Sequence, residues 1–134
     1  MKKVLLSLVS VMVLTGCAVN SYLVQKEFNK SLDAYNDSLR WRDWDNASLF
    51  TTTTNQQEFK TRVAAAKDVR MVDYRIVNMK YDAESHKATA DVEIDYYMVF
   101  SYTMKTLHDK QMWEYLDEKG TKGWKVVSLL PEFK

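Results

Sequence analysis

The sequence predicts an α+β domain in which N-terminal helices pack on a curved antiparallel sheet of about four strands. Apolar residues recur at helical spacing in the first half of the chain, the spacing changes to two after Lys67, and polar turn segments divide the alternating part. From Tyr22 to Arg42 the residues Val24, Phe28, Leu32, Tyr35 and Leu39 fall at gaps of four, four, three and four, one stripe of an amphipathic helix. Lys26, Asn29, Lys30, Asp33, Asp37 and Arg40 take the other sides. Asp43 is placed to cap a short second helix running through Phe50. Thr51 to Thr54 reads as a loop. Asn55 with Glu58 three residues on resembles a capping box for a third helix, with Phe59, Val63 and Ala66 inward.

Val69 to Tyr81 reads as the first long strand. Two successive apolar residues at Ile76-Val77 switch its inward face, which predicts a β-bulge. Asp82 to His86 is a polar turn. In Lys87 to Phe100, Ala88, Ala90, Val92, Ile94, Tyr96 and Met98 alternate with polar neighbours, the clearest strand of the chain. A turn near Ser101 to Thr103 leads into Lys105–Asp117, where Leu107, Asp109, Gln111, Trp113 and Tyr115 share one face. Glu118 to Gly123 is expected to be the hairpin connection, and Trp124 to Leu130 the last strand, ended by Pro131.

The chain opens Met1-Lys2-Lys3, runs apolar from Val4 to Leu14, and reads Leu14-Thr15-Gly16-Cys17. A basic start, a short apolar run and small residues are the parts of an export signal, and a run of eleven residues is too short to span a bilayer, which takes about twenty. Leu-Thr-Gly-Cys resembles the lipobox of bacterial lipoproteins. The resemblance implies cleavage before Cys17, lipidation of Cys17, and membrane lipid as a partner through that acylated residue. More than one acyl chain makes such attachment stable. Ala18, where an aspartate commonly retains members of that family at the inner membrane, implies the outer membrane, with the domain facing the periplasm. The division expected is a signal peptide at 1–16, a lipidated short tether at 17–21 and one domain at 22–134, held close to the membrane surface.

Cys17 is the single cysteine, so the domain has no thiol nucleophile, disulfide or thiolate metal site of its own. Removing residues 1–16 takes away Lys2 and Lys3 and no acid, leaving 17 basic against 18 acidic side chains. A nearly neutral domain lacks the electrostatic footprint for nucleic acid. Three glycines and one proline leave no room for a long flexible linker.

The segment Arg40-Trp41-Arg42-Asp43-Trp44-Asp45-Asn46-Ala47, closing a long first helix, resembles the NTF2-like superfamily. Trp113-Glu114-Tyr115, a glycine hairpin, and Gly123-Trp124-Lys125-Val126-Val127 carry the same likeness. It covers Leu23 to Phe133 and implies a SnoaL- or steroid-isomerase-like cone, a curved sheet around the first helix whose open end is often a pocket. Enzymes of that family, steroid isomerases and polyketide cyclases, use an aspartate or histidine inside the cone. No matching catalytic motif is found here.

His86 falls in a turn and His108 on the face opposite Leu107 and Trp113, so both read as surface residues, and no metal or cofactor is implied. Asp91, Glu93 and Asp95 form an acidic row that either binds a cation or pairs with basic residues of neighbouring strands. Asp109 and Gln111 point toward the interior. A carboxyl group there is desolvated and could act as a base; the alternative, which is favoured, is an Asp109 at the cone's rim, hydrogen-bonded to a tyrosine or exposed to water. Tyr35, Trp41, Trp44, Tyr74, Tyr96 and Trp113 either line a pocket with Asp109 and Gln111 or form the core. The expectation is a non-catalytic role, binding a small apolar ligand or an envelope protein partner. The alternative is a small isomerase- or cyclase-type enzyme using Asp109.

Overall fold

The structure, a computed structural model, describes the backbone of residues 2–134 and the side chains from residue 20 onward. Helices precede a four-stranded antiparallel sheet, the α+β order expected. The elements are α1 (Lys2–Arg40), α2 (Trp44–Ser48), a 3-10 turn (Thr53–Asn55), α3 (Gln56–Ala65), β1 (Val69–Asp82), β2 (Lys87–Met98), β3 (Lys105–Glu118) and β4 (Thr121–Val126). The strands lie in sequence order, β1-β2-β3-β4.

Val24, Phe28, Leu32, Tyr35 and Leu39 are all buried, so the helical stripe becomes the face of α1 that meets the sheet. The helix ends in a Schellman arrangement, with Asp43 N–H donating to Ser38 O and Arg42 N–H to Leu39 O. The left-handed residue this motif needs is Arg42, with φ 58°, where glycine is usual. Its guanidinium donates to Val69 O at 2.5 Å and Lys67 O at 3.3 Å, tying the end of α1 to the start of β1.

Asp43 caps α2 as expected, accepting from Asn46 N–H at 3.2 Å. The capping box at the third helix does not form. Asn55 makes no side-chain cap bond there; Thr52 Oγ1 accepts from Asn55 N–H instead, and Glu58 turns to Arg62 at 3.0 Å. The four-threonine stretch is capped from across the molecule, Thr53 donating through N–H and Oγ1 to the Glu118 carboxylate.

The register of β1 on β2 shifts between Ile76 and Asn78, so Val77 is the extra residue of a bulge where the doubled apolar pair predicted one. A second shift, between Met71 and Asp73, was not expected. Both add curvature to the edge strand. The last hairpin is tighter than the expected Glu118–Gly123 loop. Glu118 pairs with Thr121, leaving Lys119 and Gly120 as a two-residue turn, both at positive φ (54° and 81°), the geometry that matches strand twist. The last strand accordingly starts at Thr121 and stops at Val126, and residues 127–134 are not a strand. Pairing of Val126 N–H with Phe50 O begins to cover that edge.

Alternation separates two faces. Ala88, Ala90, Val92, Ile94 and Tyr96 are buried on one side of β2, while Asp91, Glu93 and Asp95 lie on the other. The core sits between α1 and the inner face. Phe28, Tyr35, Trp113 and Trp124 form its aromatic centre, with Tyr35 edge-on to Trp113 at 5.5 Å and Phe28 against Trp124 at 4.9 Å. Trp124 Nε1–H donates to Val24 O at 2.9 Å, fixing β4 against the helix.

Candidate functional site

The register of β2 on β3 places Gln111 beside Ala90 and Asp109 beside Val92, both on the inner face. Alanine on the central strand leaves room for the longer polar chains. Opposite them, α1 presents Asn36. This residue was missed by the sequence reading, although Leu32, four before it, and Leu39, three after it, share its helical face. Gln111 and Asn36 are 1% and 2% exposed.

These groups satisfy one another. Gln111 Nε2–H donates to Asn36 Oδ1 at 2.8 Å and to the Asp109 carboxylate at 3.0 Å. Gln111 Oε1 accepts from Asn36 Nδ2 at 3.2 Å and from Trp113 Nε1 at 3.3 Å. Asn36 Nδ2 also donates to Leu32 O. One glutamine thus uses both its donors and both its lone-pair directions, the condition under which a buried amide is tolerated. Asp109 is 7% exposed. Burial pushes its carboxyl up to about 6, against the lowering effect of the Gln111 hydrogen bond. Tyr35, beside it, is shifted strongly upward by burial and then by the Asp109 charge. The arrangement can hold a proton on Asp109 up to about pH 6. No nucleophile or second carboxyl completes an acid–base pair in this hydrogen-bonded cluster.

The other candidate residues are dispersed. Tyr35 and Trp113 belong to the main core, and Trp44 packs against it. Tyr96 lies in a smaller cluster with Ala66 and Val69, its hydroxyl donating to Lys134 O at 2.7 Å. Tyr74 sits toward the edge, its hydroxyl donating to Asp37 at 3.1 Å; burial and then that bond push it up to about 12. Trp41 stands 73% exposed, in the turn that ends α1. These aromatics therefore do not converge on one pocket. A shallow hollow of about 300 Å³ is lined by Val77, Asp91, Val92, His108, Asp109 and Lys110. Its Asp91, His108 and Lys110 point to the solvent face, whereas the Asp109 carboxyl turns inward to Gln111.

The outer acidic row is paired in part. Arg75, opposite Glu93 on β1, reaches Glu93 at 2.9 Å and Asp95 at 2.7 Å. The Arg75 bond first, and then Thr106, hold Asp95 below the ordinary carboxylate range. Asn78 donates to Asp91. Among the described residues no group of three or more His, Cys, Asp or Glu is arranged to hold a metal ion. His108 is exposed and His86 packs edge-on to Tyr115.

No protein-family model matches the chain, and no curated protein does. Solved structures do resemble it. A SEC-C motif containing protein from Rhodopseudomonas palustris, known in solution, superposes with a TM-score of 0.55 at 10% identity, over 69% of each chain. A SEC-C motif containing protein from Psychrobacter arcticus, known from a crystal, also gives 0.55 at 10% identity, over 68% of this chain and 52% of its own. The likeness is one of fold, and the chain spans about half the length of the Psychrobacter protein.

This finding corrects the resemblances taken from the sequence. The matching structures are described as SEC-C motif containing proteins, and neither as an NTF2-like protein nor as a lipoprotein. The reason is physical: an apolar helical stripe followed by an alternating meander specifies which faces are buried, and more than one family buries those faces. The lipobox reading at Leu14 to Cys17, with lipidation at Cys17 and the signal peptide at 1–16, lies outside the described side chains. Among the described residues no helix is long and apolar enough to cross a membrane.

Proposed function

We propose that the domain has a non-catalytic role and binds a protein partner in the cell envelope. The observation that carries this reading is the filled interior. Gln111, Asn36, Tyr35 and Trp113 occupy the space between α1 and the inner sheet face, with polar atoms bonded to one another. A small apolar ligand there would have to displace a satisfied network, and a substrate would have to reach a carboxyl group that faces Gln111. The envelope setting belongs to the same proposal and is motivated by the basic-then-apolar opening of the chain.

The surface best suited to a partner is the second half of β1. It is an edge strand paired only with β2, and Val77 and Met79 are 54% and 48% exposed on it. An extended partner segment adding to such an edge gains main-chain hydrogen bonds, with side-chain contacts supplying selectivity. A photo-crosslinking residue at Met79 in the full chain, expressed in cells, is expected to give one discrete protein adduct, absent when the same residue stands at Asp91. Equal labelling from both positions, or labelling from neither, contradicts the reading. The small-ligand alternative has its own signature: an apolar probe binding stoichiometrically and shifting the Trp113 indole N–H resonance.

A further inference from the structure

The connection between β2 and β3, residues 99–104, carries the most exposed apolar side chains of the sheet. Phe100 is 73%, Tyr102 80% and Met104 56% exposed. The turn is built to present them. Ser101 and Tyr102 N–H both donate to Met98 O, at 3.0 and 3.1 Å. Tyr102 then adopts φ 55°, an uncommon conformation for a bulky side chain. Its ring stacks on Tyr97 at 6.0 Å, so the loop is ordered with its aromatics outward. None of the hollows found at Glu58–Lys134, at Glu27–Lys125 or around Asp109 is lined by it. It is a convex tip.

Its charge is one-sided. From Tyr97 to His108 there is no acidic residue. Val99 N–H donates to Asp68 O, which brings the Lys67–Asp68 turn alongside, and Arg70 pairs in register with Tyr97. Lys67 and Arg70 therefore flank the base of the tip beside Asp68, while Lys105 Nζ donates to Lys134 O at 2.8 Å.

We infer that this tip is a membrane contact: Phe100, Tyr102 and Met104 enter the headgroup boundary of an anionic bilayer while Lys67 and Arg70 meet its lipid phosphates. Tyrosine with an apolar body and a polar end is suited to that boundary. A bilayer also needs no shaped groove in its partner, whereas basic side chains near the surface add attraction that salt screens. The inference is independent of the partner reading, since the tip lies at the far end of β2 from the turn that joins β1 to β2.

Hydrogen–deuterium exchange on the full chain tests it, with and without vesicles of phosphatidylethanolamine and phosphatidylglycerol. The amides of residues 99–104 are expected to slow on these vesicles and to remain fast on phosphatidylcholine alone. Phe100→Ser with Tyr102→Ser should lower vesicle partitioning about tenfold or more, with an unchanged thermal midpoint. Lys67→Glu should weaken it further as ionic strength falls. The apolar start of the chain is present in every variant, so differences belong to the tip. Unchanged exchange at 99–104 while the chain is vesicle-bound overturns the inference, as does equal protection on neutral vesicles. Protection seen only with an added protein assigns the tip to a protein contact and overturns it too.

Discussion

The two faces of the β2–β3 pair carry the same chemical group under opposite conditions. On the inner face Asp109 is buried, receives one hydrogen bond from Gln111, and is pushed up to about 6 by desolvation. On the outer face Asp95 meets water and the Arg75 guanidinium, and its carboxyl is held low. Adjacent strands and identical side chains thus give a proton-holding group on one side and a permanent anion on the other. The difference teaches that an aspartate's role here follows from which way its strand position points. The carboxyl group itself says little until its face is known.

That contrast can be broken from the inside first. Gln111→Leu removes the one residue that satisfies Asn36, Asp109 and the Trp113 indole together. Three buried polar groups lose a partner, and we expect a loss of about 4 kcal/mol in urea unfolding at neutral pH. Asn36→Leu, which leaves Gln111 bonded to Asp109 and Trp113, should cost less than Gln111→Leu.

Asp109→Asn sharpens the comparison through pH. The folded carboxyl titrates above its ordinary value, so the folded chain holds a proton that the unfolded chain releases. Stability from this group is therefore fully present below about pH 4 and lost as pH rises through about 6. Asp109→Asn, which keeps the shape and still accepts from Gln111, removes that dependence. The variant should match the parent near pH 4 and exceed it at pH 7 by on the order of 2–3 kcal/mol. Parallel unfolding curves at the two pH values check this.

The outer face should respond least. Arg75→Met breaks exposed ion pairs, and the thermal midpoint is expected to move by less than about 3 °C. Scanning calorimetry at low and high salt measures it, and any effect should shrink with salt. A large loss from Arg75→Met would mean that the outer row is part of the folding core after all.

Much of this was legible in the residues. Strict alternation in β2 and β3 put Asp109, Gln111 and Trp113 on one face and His108 on the other, because a period of two leaves no freedom once one face is apolar; that Asp109 is buried against Gln111, and not at a rim bonded to a tyrosine or open to water, emerged only from the structure. The doubled apolar pair Ile76-Val77 announced its bulge for the same reason. The acidic row was readable as a paired surface, but the partner Arg75 required the register. Asn36 escaped notice because a polar residue on an apolar stripe looks like an interruption; its meaning lies 75 positions away, in Gln111. The cap at Thr53 was hidden likewise, since its acceptor Glu118 is supplied by β3. Local pattern specifies faces, whereas satisfaction of buried or capping groups is settled by distant chain. The expected NTF2-like likeness misled, because it rested on aromatic clusters that any sheet packed on a helix can carry.

The central claim is that Asp109 is a desolvated, internally bonded carboxyl group in a filled interior. A carbon-13 NMR titration of the Asp109 side chain in the folded chain tests it most directly. The account predicts a midpoint near 6, well above that of Asp95 in the same spectrum. A midpoint near 4 or below, close to that of the exposed acids, would show an Asp109 open to water and contradict it.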